Sequence, residues 1–228
     1  MTKHICLLLL MLFTNTAFAS HPYARQYQYE CDKALKFYTE NKNLFRKAAE
    51  KTNLSPAFLF AIVAPEITQY HHLSDKIETY SLKVFYVQRG KEYSDFSIGC
   101  FQMKPSFVEQ LENDLLLHDD LLPLYENCLF KDADSREARV ERIERLSSAE
   151  WQTEYLALFC HLLSKRFAGK TFRTEKEKLQ FYATAYNSGL QRTEEEIENI
   201  SKKSLFPRFS PTKHSYAGIA YWFYSQTM

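Results

Sequence analysis

The chain has 228 residues, with 45% hydrophobic and 25% charged side chains, the balance of a globular protein with a real core. Lys and Arg number 29 against 28 Asp and Glu, a net charge of +1 with no long basic run. That excludes a phosphate-neutralising surface, so no nucleic-acid partner is expected. Aromatic residues reach 15%, with 18 Phe and 15 Tyr. Most of them should fill the core, and some tyrosines could line a groove that grips sugar rings.

Lys3 and His4 precede an apolar stretch from Ile5 to Phe13, followed by Ala17-Phe18-Ala19. A basic start, a short apolar core and a small-x-small site predict a secretory signal peptide over residues 1–19. The apolar run is shorter than the ~20 residues of a membrane-spanning helix. No later segment looks transmembrane, so no stable membrane insertion is expected. Residues 20–228 then form a single domain, periplasmic or secreted. Cys6 falls within the leader. Cys31, Cys100, Cys128 and Cys160 remain. They could form two disulfides in any of three connectivities, or serve as small buried hydrophobes; both readings stay open. No CxxC pair is present, which argues against zinc.

Helical periodicity predicts helices near 27–51, 55–65, 75–89, 105–117, 134–146, 148–168, 175–187, 194–203 and 213–225. No alternating run is long enough for a sheet, so the fold class is all-α. Ser55-Pro56 should cap and open the second helix. Ser147 with Glu150, Thr174 with Glu177, and Thr193 with Glu196 have capping-box spacing. Gly90, Gly169 and Gly189 are placed to end helices in a left-handed turn. The stretch 91–104 is the main loop.

Three short motifs carry candidate chemistry. In the first, an apolar helix, Phe58 to Ala64, runs into Pro65-Glu66. Desolvation and the negative end of the helix dipole both disfavour an ionised carboxylate there. A carboxyl kept neutral near pH 7 can protonate a leaving oxygen. The plain alternative is a solvated Glu after a helix. The second motif is Gly99-Cys100-Phe101-Gln102-Met103-Lys104-Pro105. Gly99 permits a tight turn, and Gln102 offers a donor and an acceptor to a neutral ligand such as an acetamido sugar. The third, Ala185-Tyr186-Asn187-Ser188-Gly189, places Tyr186 and Asn187 in the last turn of a helix. The Tyr186 hydroxyl could hold a carboxylate in one rotamer. His71-His72 lacks the HExxH spacing of a metal pair, so no metal and no cofactor is expected.

In this order the motifs resemble the soluble lytic transglycosylase family, whose fold is lysozyme-like. That family has a helix ending in a catalytic Glu, a Gly-Leu-Met-Gln-x-x-Pro loop, and a downstream Ala-Tyr-Asn-x-Gly. A family element of the form Thr-x-x-Tyr-Val is echoed by Thr212 to Ala217, with Tyr216 near its end. The likeness spans roughly residues 45–225 as islands. Departures are Ile67 in place of the Ser after Glu, Cys100-Phe101 in place of Leu-Met, and a longer interval between Glu66 and Gln102. The extra residues, about 71–95, should form an inserted helix over the cleft.

The resemblance implies an enzyme that cuts the β-1,4 bond between N-acetylmuramic acid and N-acetylglucosamine in peptidoglycan strands, giving 1,6-anhydro products. Glu66 would be the single acid/base and Tyr186 would orient it. Gly99, Phe101, Gln102, Met103, Asn187 and Tyr216 would bind substrate. A cell-envelope assembly is a further conceivable partner. Two other functions remain open: a lysozyme-type hydrolase, for which Asp95 is the nameable second carboxylate, and a non-catalytic glycan-binding protein on the same fold.

Overall fold

The computed structural model describes residues 21–228, and the expected leader lies outside them. The described chain is all-helical, and no helix in it is long and apolar enough to cross a membrane. Among the described residues, β-pairing is confined to two isolated bridges, Ile98 with Met103 and Phe206 with His214.

The helices are α1 (Pro22–Gln26), α2 (Gln28–Glu40), α3 (Lys42–Thr52), α4 (Pro56–Gln69), α5 (His72–Val84) and α6 (Tyr86–Arg89). They continue as α7 (Pro105–Leu115), α8 (Leu122–Tyr125), α9 (Arg136–Leu146), α10 (Ala149–Arg166), α11 (Glu175–Ser188), α12 (Glu194–Ser201) and α13 (Tyr216–Thr227). A short 3-10 turn, Glu126–Cys128, follows α8.

The centre of the molecule is α4. Ser55 accepts a hydrogen bond from Phe58 N and Pro56 fills the first turn, so the helix starts where its sequence places it. It is apolar on every side, and a helix of that kind must be covered all round. Helices α2, α3, α11 and α13 surround it. Phe58, Leu59, Phe60, Ile62 and Val63 are essentially fully buried. Burial of each such side chain stabilises the fold by about 1.5–3 kcal/mol. Phe60 stacks on Tyr38 at 4.5 Å and meets Phe45 and Phe223 edge-on. A second spine, α10, packs on α3 and α7.

Several sequence expectations shift. The single helix expected over 27–51 divides at Asn41, whose side-chain Nδ2 and backbone N–H both donate to the Phe37 carbonyl. A side chain that bonds a carbonyl in the last turn of its own helix competes with the backbone ladder and favours ending the helix there. Helix α10 is capped by Ser148, which accepts from Trp151 N, rather than by Ser147. Thr193 and Glu196 do form the reciprocal capping box. Gly90 and Gly189 adopt positive φ, at 82° and 111°, whereas Gly169 does not. All four cysteines are free, which overturns the disulfide reading. Cys31, Cys128 and Cys160 are buried and behave as small apolar groups.

Candidate active-site cleft

Pro65 and Glu66 lie within the last turn of α4, and the helix runs on to Gln69 instead of stopping at 65. Pro65 withholds one helical hydrogen bond from the Ala61 carbonyl, yet the packed partners of α4 keep the helix going. This turn faces a cleft of about 840 Å³. Glu66 lies half-buried in its wall, with Asn187 Nδ2 donating to Oε1 at 3.2 Å. The Tyr216 hydroxyl lies against the same carboxyl, its single proton shared between Glu66 and the Ile62 carbonyl, 2.9 Å away. Burial pushes the Glu66 carboxyl up to about 7, against the opposing pull of the Asn187 and Tyr216 hydrogen bonds.

The opposite wall begins with the loop 98–103. Backbone bonds from Ile98 N to Met103 O, 3.0 Å, and from Met103 N to Ile98 O, 3.1 Å, close it into a tight turn. Gly99 enters the turn at φ 73°, and a Cβ there would meet the Leu146 carbonyl at 2.3 Å. Gln102 leaves it at φ 51°, a left-handed conformation that a non-glycine residue holds only when its surroundings enforce it. Three groups supply that enforcement. Gln152 of α10, fully buried, donates from Nε2 to Ile98 O at 2.8 Å and accepts from Phe101 N at 3.0 Å. Asp75 of α5 accepts from Gly99 N at 2.6 Å. The Tyr186 hydroxyl donates to Phe101 O at 2.7 Å.

These bonds reassign several residues. Tyr186 lines the cleft, but its hydroxyl fixes the Gln102 loop; the groups bonded to Glu66 are Asn187 and Tyr216. Phe101 was expected to bind substrate. Its ring is instead wholly buried against Phe37 and Phe45, out of reach of any ligand. Gly99 is likewise a buried packing position and not a contact surface. Tyr216 lies beneath Glu66, 6% exposed, and acts on the carboxyl from behind. Gln102, Met103 and Asn187 do line the cleft.

Asp95 does not join the cleft wall. It accepts from Ser106 N at 2.9 Å and from Ser106 Oγ at 2.7 Å, so it is committed to the start of α7. The inserted segment does not cover the cleft either. Helices α5 and α6 pack on α9, and among the described side chains neither lines the opening. Just beyond α6, Lys91 and Ser97 reach the lining. No group of His, Cys, Asp and Glu capable of holding a metal occurs among the described residues.

Sequence reasoning missed Gln152 and Asp75. Gln152 could have been noticed as a polar residue at a core register of α10, in line with Leu156, Phe159 and Leu163. Asp75 left no such trace, because its role depends on long-range placement. No family model, curated protein or solved structure matches the chain.

Proposed function

We propose that this chain is a lysozyme-like peptidoglycan lytic transglycosylase that uses Glu66 alone as its acid and base. The observation that carries the reading is one carboxyl, pushed up to about 7, in the wall of a cleft large enough for sugar rings. Much of the lining suits a neutral, hydroxyl-rich ligand: Gln102, Gln110, Asn113, Asn187 and Gln191 are amides and Ser97, Ser106 and Ser188 are hydroxyls, beside the charged Lys91, Lys104, Asp114 and Arg208. Phe107, edge-on to Tyr186 at 5.7 Å, adds an apolar surface.

In this reading the neutral Glu66 gives its proton to the glycosidic oxygen as the bond to the muramic C1 breaks. The substrate's acetamido oxygen shields the developing positive charge at C1. The Glu66 carboxylate then takes the proton of the muramic 6-hydroxyl, and O6 closes on C1 to form the anhydro ring. The carboxyl is neutral again at the end. Asn187 and Tyr216 stabilise the ionised form between the two steps, while burial favours the neutral form at the start. A group held near neutrality serves both directions of transfer.

A hydrolase that used two carboxylates would need a partner within ~5–9.5 Å. Asp114 is the other carboxylate in the lining. It lies in the last turn of α7, about 12 Å along the helix from Ser106 at the usual rise per residue. Phe107, in ring contact with Tyr186, lies two turns from Asp114 along the same helix. Asp114 so placed, at the far end of α7 from that contact, supports single-carboxylate chemistry.

The test is digestion of purified sacculi with mass analysis of the products. Anhydro-muropeptides are expected from the wild type, and about 10³-fold or greater loss from Glu66→Gln. Products heavier by one water would assign hydrolysis instead. Undiminished digestion by the variant would remove Glu66 as the acid. A wild type that binds sacculi but cuts nothing would leave a glycan-binding protein, the reading favoured by the buried Ile67 where the family has Ser.

A further inference from the structure

The cleft carries three cations, Lys91, Lys104 and Arg208, and their situations differ. Lys91 is paired with Glu109 at 3.0 Å and Lys104 faces Asp95 at 3.5 Å. Among the described residues, no ion pair neutralises Arg208.

The segment that holds Arg208 is firmly anchored. The Phe206–His214 bridge closes it, with N–H to carbonyl bonds of 3.1 and 2.6 Å. Lys213 Nζ donates to the carbonyls of both Pro207 and Arg208. Ser210 Oγ bonds the Tyr27 hydroxyl at 2.8 Å. A strap so fixed presents Arg208 and its neighbour Phe209, which is 91% exposed, to solvent. The guanidinium lies 5.4 Å from the Phe209 ring centroid. Stacking on an aromatic face reduces the freedom a guanidinium loses when its planar fork meets a carboxylate.

Building on the glycan-cleaving function proposed above, we infer that Arg208, backed by Phe209, is a subsite that reads a carboxylate hanging from the glycan strand. The cleft is thereby set for acid-bearing strands over neutral ones. An anion is the missing complement of this guanidinium in a cleft whose other two cations, Lys91 and Lys104, already face carboxylates. Two sources of that carboxylate exist on a muramic strand. One is the terminal and side-chain carboxylates of its peptide. The other is the lactyl carboxylate itself, which is free only when the peptide has been removed.

Binding should be measured in the Glu66→Gln background, where no strand is consumed, with three probes: a peptide-bearing muropeptide oligomer, the same oligomer stripped of peptide by an amidase, and neutral chitohexaose. Arg208→Gln should weaken binding of at least one acidic probe about 10- to 100-fold and leave chitohexaose unchanged, the range expected for one charged hydrogen-bonding contact. Arg208→Lys should recover part of the loss. Loss confined to the peptide-bearing probe assigns the peptide; an equal or larger loss with the stripped probe assigns the lactyl group. Equal effects on acidic and neutral probes, or none on either, would overturn the inference. Sacculus digestion by the otherwise wild-type Arg208→Gln protein separates the two claims. Anhydro products formed by it, with binding of both acidic probes unchanged by Arg208→Gln, would leave the cleavage reading standing and refute the subsite. Absence of both binding and digestion in every arm would remove both.

Discussion

Two residues hold the Glu66 neighbourhood in different ways, and their variants should separate. Asn187 donates to the carboxyl and favours its ionised form. Asn187→Ala should therefore move the alkaline limb of the pH–activity profile above about 7 and lower the rate near neutrality, because the base step loses support. Tyr186 acts instead on the Phe101 carbonyl. Tyr186→Phe should release the left-handed Gln102 turn, raise KM several-fold and leave the profile's midpoints in place. Measured pH profiles of both variants check this; a midpoint shift with Tyr186→Phe would return that residue to the carboxyl. The sequence showed Glu66, Gln102, Met103 and Asn187 as cleft residues because their motifs are local. It misplaced Phe101 because an apolar residue in a ligand-binding motif and one in the core look alike until the fold decides which way the turn points.

At the scale of elements, the inserted segment is locked to the body by a buried charge cluster. Arg142 of α9 is 1% exposed and grips both oxygens of Glu112 on α7, with Nη2 to Oε2 at 2.7 Å. Its Nη1 donates to the Tyr86 hydroxyl of α6, which in turn donates to Glu109 at 2.7 Å. Glu109 holds Lys91 at the cleft edge. Arg142→Ala should destabilise the protein by about 3–5 kcal/mol, since Glu112 would be left buried and unpaired. Joint replacement by Met at 142 and Leu at 112 should recover much of that loss in urea unfolding; no recovery would mean the cluster's worth lies in more than charge compensation. Helix starts were readable wherever a Ser or Thr faced an N–H three residues on, as at Ser55 and Thr193. The break at Asn41 and the continuation of α4 through Pro65 were not. One is set by a side chain turning back on its own helix, the other by the four helices packed around α4.

For the whole molecule, the raised Glu66 pKa is also a statement about stability. The fold favours its neutral form, so the contribution is fully present below the ordinary value of 4.5 and is lost as pH rises towards about 7. The loss is on the order of 3 kcal/mol by the usual conversion. Glu66→Gln lacks that titration. Its melting temperature should match the wild type near pH 4 and exceed it by several degrees near pH 8, with the gap opening between about 4.5 and 7. A constant gap across that range would place the carboxyl in water. The all-helical class followed from periodicity alone, since apolar residues three and four apart point to one face whatever lies opposite. The cleft did not follow, because it is framed by α4, α7 and α11, together with loops far apart in sequence.

The free thiols bear on how the chain must mature. Burial pushes Cys31, Cys100 and Cys128 up to about 12, and Cys160 higher still, so the folded protein holds almost no thiolate for an oxidant to attack. The unfolded chain has no such shield. Collapse and oxidation therefore compete, and the winner is decided once: a molecule that folds first is safe, and one that is cross-linked first cannot reach this arrangement. Heating in air should scramble the thiols and make unfolding irreversible, whereas a reductant during the melt should let the same sample refold on cooling.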